Sequence, residues 1–103
     1  KSYFSSATFD AFNQCYFCTQ ENRRGVGLDK PQLWGGGMAF NGISPKSFGH
    51  SGFTGIYAWA DPETGIVFVF LSNRNHPSME NRLLIDHSIR PRMLKLVHEA
   101  VLY

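Results

Sequence analysis

Cysteine is scarce in this sequence. Cys15 and Cys18 form its single Cys-x-x-Cys pair, and a zinc ribbon needs a second such pair. His50, His76, His87 and His98 show no metal-site spacing. No metal or organic cofactor is therefore implied. The cysteines read as two small, partly buried thiols. A thioredoxin-like redox motif would need a preceding strand and a following helix, and the surroundings read the other way round. Charge is also sparse: Asp, Glu, Lys and Arg make up 17% of the residues and leave a net charge of +2. Arg23-Arg24 is the only basic pair, and no basic stripe alternates with aromatics, which argues against a nucleic-acid partner. No window reaches the ~20 apolar residues that span a bilayer. The first residues, "KSYFSSATFD", lack the apolar core of a secretory signal. They also lack an initiator Met, as expected of a mature product or a piece of something longer. There is no internal repeat and no low-complexity segment.

What remains is a globular composition. Hydrophobic residues make up 43% of the 103, with nine Phe, four Tyr and two Trp. The length allows one small domain, residues 1–103. Apolar residues at Phe4, Ala7, Ala11, Phe12 and Cys15 predict a helix, with Ser5 or Ser6 as its cap. Gly25 to Asp29 reads as a short strand ended by Pro31. Leu33 to Phe40 carries Gly35-Gly36-Gly37 and then Met38-Ala39-Phe40, and Asn41-Gly42 is a hairpin signal because both residues tolerate positive φ. Lys46 to Ala60 reads as one long strand with glycines at its start. "DPETG", Asp61 to Gly65, is a turn: Pro62 presets one corner and Gly65 supplies the left-handed one.

"IVFVFL", Ile66 to Leu71, is unbroken apolar, which predicts a central strand covered on both faces. "SNRNHPSMEN" is a loop. Ser88 caps a final helix that tolerates Pro91 in its first turn. Ile89, Met93, Leu96, Val97, Ala100 and Val101 form its apolar stripe. The order helix, three or four antiparallel strands, helix is α+β. One short and one long helix cover one sheet face. The other calls for a partner: another domain, another chain, or further parts of the same protein.

The stretch "FGHSGFTG", Phe48 to Gly55, carries the candidate chemistry. Glycine inside a strand removes bulk and invites close approach to the backbone. A strand edge of that kind offers N–H and C=O groups to an extended substrate or a developing oxyanion. His50 falls on the same side as Gly52 and can hydrogen-bond a carboxylate or assist proton movement. The plainer reading is that the glycines ease a bend and His50 is an ordinary half-buried histidine.

The longer stretch "FGHSGFTGIYAWADPETGIVFVFLSNRNHP" resembles the penicillin-recognising serine hydrolases: serine β-lactamases, DD-peptidases and related esterases. The likeness lies in a His-x-Gly on a strand, Phe-Thr-Gly, a strand ending in Asp-Pro, a tight turn, a buried apolar strand and Ser-Asn-Arg. "NRLLIDHSIRPRMLKLVHEAV" is similar to the arginine-bearing segment and closing helix of that family. Upstream, "GVGLD" and "LWGGGMAF" look like the preceding strand pair, and "YFSSATFDAF" like the helix before it. The resemblance implies that His50, Ser51 and Gly52 take the place of the family's Lys-Thr-Gly element. His50 and Ser51 would then hold the substrate, Gly52 would let the acyl group lie against the strand, and the Phe53 N–H would form half of the oxyanion hole. Asn73 and Arg74 read as structural, ending the strand and anchoring the loop. His76 has no role beyond that of a loop histidine.

The departure from the family is large. Its nucleophile lies in Ser-x-x-Lys, and no serine precedes Lys30, Lys46 or Lys95 by three places: those positions hold Gly27, Ile43 and Arg92. Tyr-x-Asn and Ser-x-Asn are missing as well. The resemblance thus implies the C-terminal part of a longer serine hydrolase, a partial β-lactamase-like domain whose serine and lysine lie upstream. Its partners would be the N-terminal remainder of the same protein and a small acyl or peptide substrate. The isolated chain is expected to be inactive, and to self-associate through uncovered sheet. Relatives that act on cell-wall peptides imply a periplasmic or extracellular location. The alternative is a non-catalytic binding module of the same fold for a cell-wall peptide or glycan. A third reading is an unrelated α+β domain with a chance His-x-Gly.

Overall fold

The structure is a computed structural model that describes residues 2–32 and 35–103. It is α+β, as expected: α1 Ser6–Phe12, β1 Phe48–Ser51, β2 Tyr57–Asp61, β3 Ile66–Phe70, α2 Leu83–Asp86 and α3 Ile89–Leu102, with a short 3-10 turn at Cys18–Gln20. The three strands form one antiparallel sheet in the order β1-β2-β3.

Ser5 caps α1, its side chain accepting from the Thr8 N–H at 3.2 Å. This meets one of the unpaired donors of the first turn. The helix is shorter than the apolar spacing predicts. It stops at Asn13, whose side-chain amide donates to the Lys46 carbonyl at 2.8 Å, and the chain then closes a disulfide between Cys15 and Cys18. The expected thiols are therefore oxidised. No residue of α1 is buried; its tie to the sheet is the edge-on contact of the Phe9 and Phe48 rings, 5.7 Å apart.

The predicted strand from Lys46 to Ala60 is two strands. At Gly52 the chain turns: the Gly52 N–H donates to Ile56 O at 2.7 Å and the Gly55 N–H to Gly52 O at 3.1 Å. Gly55 has φ +107°, a region costly for a side chain with a Cβ. The second turn follows expectation. The Asp61 carboxylate accepts from the Glu63 N–H at 3.0 Å, and the Gly65 N–H donates to Asp61 O at 2.8 Å. The predicted strand at Gly25 to Asp29 is instead a tight turn, with the Gly25 N–H on Leu28 O at 2.7 Å. Only single-residue bridges flank it, Arg24 to Asp29 and Asp29 to Gly49. Gly42 has the positive φ that its turn requires, but Asn41-Gly42 joins no strands. Leu33 and Trp34, which begin the predicted glycine-rich segment, lie outside the described residues.

Strand alternation sorts the sheet into two faces. Tyr57, Trp59, Ile66, Phe68 and Phe70 face the core, where Ala39, Ile43 and Leu94 pack against them. Phe48, His50, Ala58, Ala60, Val67 and Val69 share the other face through the register Phe48–Ala60–Val67 and His50–Ala58–Val69. Val67 is 73% exposed and Val69 56%. So β3 is an edge strand with one bare apolar face, not the doubly covered centre. The central strand is β2, whose Tyr57 and Trp59 are fully buried on the core face while Ala58 stays exposed on the other. An unbroken apolar run cannot reveal which chain segment supplies its cover.

The closing helix also buries a different side than its apolar spacing predicts. Arg90, Leu94 and His98 face inward, whereas Met93, Leu96 and Val101 are exposed. The inward polar groups have partners. Arg90 donates to Gly52 O at 3.2 Å. The His98 ring packs edge-on against Phe40 and lies 3.5 Å from the Asp61 carboxylate. Ser88 precedes the helix with φ +49° and makes no side-chain cap, so the expected capping bond is not formed.

Candidate functional site

The predicted residues lie at the end of β1 and in the turn that follows. His50 stands exposed on the bare face beside Ala58 and Val69. Ser51, half-buried, pairs with Tyr57 and points to the opposite face. Alternation thus separates the two side chains that the resemblance groups together. What they share is the strand's outer edge. Gly49 exchanges both backbone hydrogen bonds with Asp29, at 2.7 and 3.0 Å. In an antiparallel ladder the next outward pair is two residues on, so the Ser51 N–H and C=O project from the free edge. Beyond it, the Phe53 N–H at the first corner of the turn has no acceptor among the described residues.

The three glycines of this stretch have three different reasons. A Cβ on Gly49 would lie 2.3 Å from Ala58 O and from Cε3 of Trp59. The close approach here is by the core indole, not by a substrate. A Cβ on Gly55 would lie 2.3 Å from the Ser72 hydroxyl. Gly52 alone has ordinary room, its nearest neighbour being Ile56 Cβ at 3.6 Å. The chain's own packing does not require glycine there.

The turn is held rigidly from behind. Arg74 donates from Nε to Phe53 O at 2.6 Å and from Nη1 to Met79 O and Asn81 O, each at 3.1 Å. Its guanidinium lies 4.4 Å from the centre of the Phe53 ring, a cation–π contact, and its N–H donates to Thr54 O at 2.9 Å. Arg74 is therefore the loop anchor that the sequence suggests. Arg90, which sequence reading passed over, fixes Gly52 O from the other side. Its signal was faint: a cation in the first turn of a helix, where cations are disfavoured.

A second group that sequence reading missed is built on Asp29. Its carboxylate, 1% exposed, takes Arg23 at 2.8 Å and Arg24 at 2.9 Å. The same Arg24 Nη1 lies 3.3 Å from His50 Nε2. Lys30, next in the chain, is buried and donates to Asn13 Oδ1 and Ser47 O, both at 2.7 Å. Burial lowers its pKa to about 8. A groove of about 1200 Å³ is lined in part by Phe9, Cys15, Lys30 and Phe40 and contains none of His50, Ser51, Gly52 or Phe53. Among the described residues there is no cluster of metal-ligating side chains, and no helix long and apolar enough to cross a membrane.

Comparison with known proteins identifies the family of the chain. The β-lactamase family profile matches residues 10–88, more than half of the chain, and the chain belongs to that family. Over 64 residues it is 45% identical to a Mycobacterium tuberculosis (strain ATCC 25618 / H37Rv) protein described as esterase/beta-lactamase LipL. The aligned stretch is 62% of this chain and 14% of that relative, so the chain spans a small part of the relative's length. No solved structure matches it significantly.

Proposed function

We propose that this chain is the substrate strand and half of the oxyanion hole of a serine hydrolase of the β-lactamase family. The nucleophilic serine and its lysine would come from an N-terminal remainder of the same protein. The observation that carries the reading is the end of β1. An outward-facing backbone at Ser51, a glycine at 52 that packing does not need and an unengaged Phe53 N–H follow one another on a braced turn. An ester or amide acyl group laid along this edge would meet Gly52 at van der Waals distance. Its carbonyl oxygen would gain the Phe53 N–H as negative charge develops. His50 would contact the substrate from the bare face, and Ser51 through its backbone.

The reaction class is acyl transfer through an acyl-serine on a cell-wall peptide, a β-lactam or a simple ester; the esterase/beta-lactamase name of the relative supports the last two. Substrates of the first kind would put the protein outside the cytoplasm. The absence of Ser-x-x-Lys from the sequence favours a second reading, a binding module for a cell-wall peptide or glycan with no covalent step.

The test is intact mass after exposure to a fluorophosphonate and, separately, to a penicillin. It is run on this chain and on the longest natural form that contains it. The expected result is one adduct on a serine of the longer form and none on the 103 residues. An adduct on this chain alone would reveal a nucleophile of its own and end the substrate-strand reading. Silence from both would favour the binding module.

A further inference from the structure

His50 does not stand free on its strand. The Arg24 guanidinium can only donate, and it reaches Nε2 of the imidazole at 3.3 Å. Nε2 must then be the bare, accepting nitrogen, which leaves the proton on Nδ1. The guanidinium, itself half-exposed, is ion-paired in turn. The Asp29 carboxylate holds Arg24 Nη1 at 2.9 Å from a site that is 1% exposed. Arg23 already neutralises that carboxylate at 2.8 Å, so charge balance does not call for a second arginine. What Arg24 adds is the link to His50. The backbone completes the frame: Asp29 is bonded both ways to Gly49, the residue before His50. The Arg24 N–H donates to Asn22 Oδ1 at 3.0 Å, which sets the turn.

We propose that Arg24, clamped by Asp29, is a positioning residue that locks His50 as the Nδ1–H tautomer and aims that N–H donor along the bare face of the sheet. The proposal rests on the substrate-strand reading for its functional consequence, but not for its geometry. A histidine so held offers a donor to a substrate oxygen and cannot take a proton on Nε2 without losing Arg24. It acts as a fixed hydrogen-bond donor, not as a general base at that nitrogen.

The experiment uses the longest natural form, with ¹⁵N-labelled histidine, and assigns His50 by its loss in His50→Gln. Ring nitrogen shifts distinguish a bare nitrogen from a protonated one. The expected result is a bare Nε2 and a protonated Nδ1 in the natural protein. Arg24→Gln, whose amide can donate or accept, should mix the tautomers, and Arg24→Lys, which can only donate, should restore part of the preference. In acyl transfer, Arg24→Gln should lower kcat/KM by about tenfold, the size of one oriented hydrogen bond, with Arg24→Lys between. A proton on Nε2 in the natural protein overturns the proposal and needs no variant to be seen. Unchanged tautomer and unchanged kcat/KM in Arg24→Gln overturn it too. If the tautomer behaves as expected in a protein that is never acylated, the positioning stands and the hydrolase reading falls.

Discussion

Gly49, Gly52 and Gly55 lie within seven residues, and a single added methyl group should tell their roles apart. In Gly49→Ala the Cβ meets Ala58 O and Trp59 Cε3 at 2.3 Å. Neither is the tip of a flexible side chain: one is the neighbouring strand and the other a fully buried ring. Overpacking of this kind costs about 1–3 kcal/mol, occasionally more, and the two rigid neighbours put Gly49→Ala at about 3 kcal/mol. Gly55→Ala pays twice, for φ +107° and for contact with the Ser72 hydroxyl. A left-handed conformation costs roughly 1–2 kcal/mol, and the Ser72 hydroxyl clears the Cβ only by giving up its hydrogen bond to Gly55 O, about 1 kcal/mol, so about 3 kcal/mol is expected in total. Gly52→Ala finds its nearest neighbour at 3.6 Å, with no φ in the left-handed region. Its stability should change by less than about 1 kcal/mol, and reduced freedom of the unfolded chain can make the change favourable. Urea unfolding followed by tryptophan fluorescence measures all three. Acyl transfer by the longest natural form measures the functional side, where Gly52→Ala should reduce kcat/KM by at least tenfold with its fold intact. If Gly52→Ala unfolds the protein as readily as Gly49→Ala, the packing argument is wrong. If it is stable and fully active, Gly52 does not face a substrate.

The other expectations follow from single contacts. Lys30, held at about pKa 8 against 10.5 in the unfolded chain, has released its proton between those values while the unfolded chain keeps it. Stability should therefore rise with pH from about 8 toward 10, and Lys30→Met should abolish that rise in urea titrations. Burial raises the Tyr57 phenol above its usual 10, so stability should fall again at higher pH. Tyr57→Phe leaves the Met38 carbonyl without its donor and should cost about 1–3 kcal/mol by the same unfolding assay. Reducing the Cys15–Cys18 disulfide opens a very small ring. A loss of about 2 kcal/mol is expected from chain entropy, read as a lower urea midpoint in dithiothreitol. The bare face at Val67 and Val69 should drive self-association of the isolated chain. Light scattering should show dimers or larger species that Val67→Thr/Val69→Thr reduces; a monomer at high concentration would count against this.

Local chemistry was legible in the sequence by itself. "DPETG" makes its turn because Pro62 and Gly65 carry their backbone preferences wherever they stand. Ser5 caps α1 for the same reason, and Arg74 anchors the loop that its position suggested. The α+β order and the candidate stretch Phe48 to Phe53 were readable too, since alternation and glycine placement are properties of a few neighbouring residues. Tertiary contact decided the rest. Gly49 is glycine because Trp59, ten residues on, needs its space. Ile66 to Phe70 became an edge strand because no described segment pairs beyond it. On α3, Arg90 and His98 took buried positions from apolar neighbours because Gly52 O, Phe40 and Asp61 were there to receive them. Arg24, Asp29 and His50 come together only because one backbone bridge joins Asp29 to Gly49. Turn and cap preferences act over a few bonds and survive in any context. Burial and side-chain partnership depend on what the folded chain brings within a few ångströms, and no local pattern encodes that.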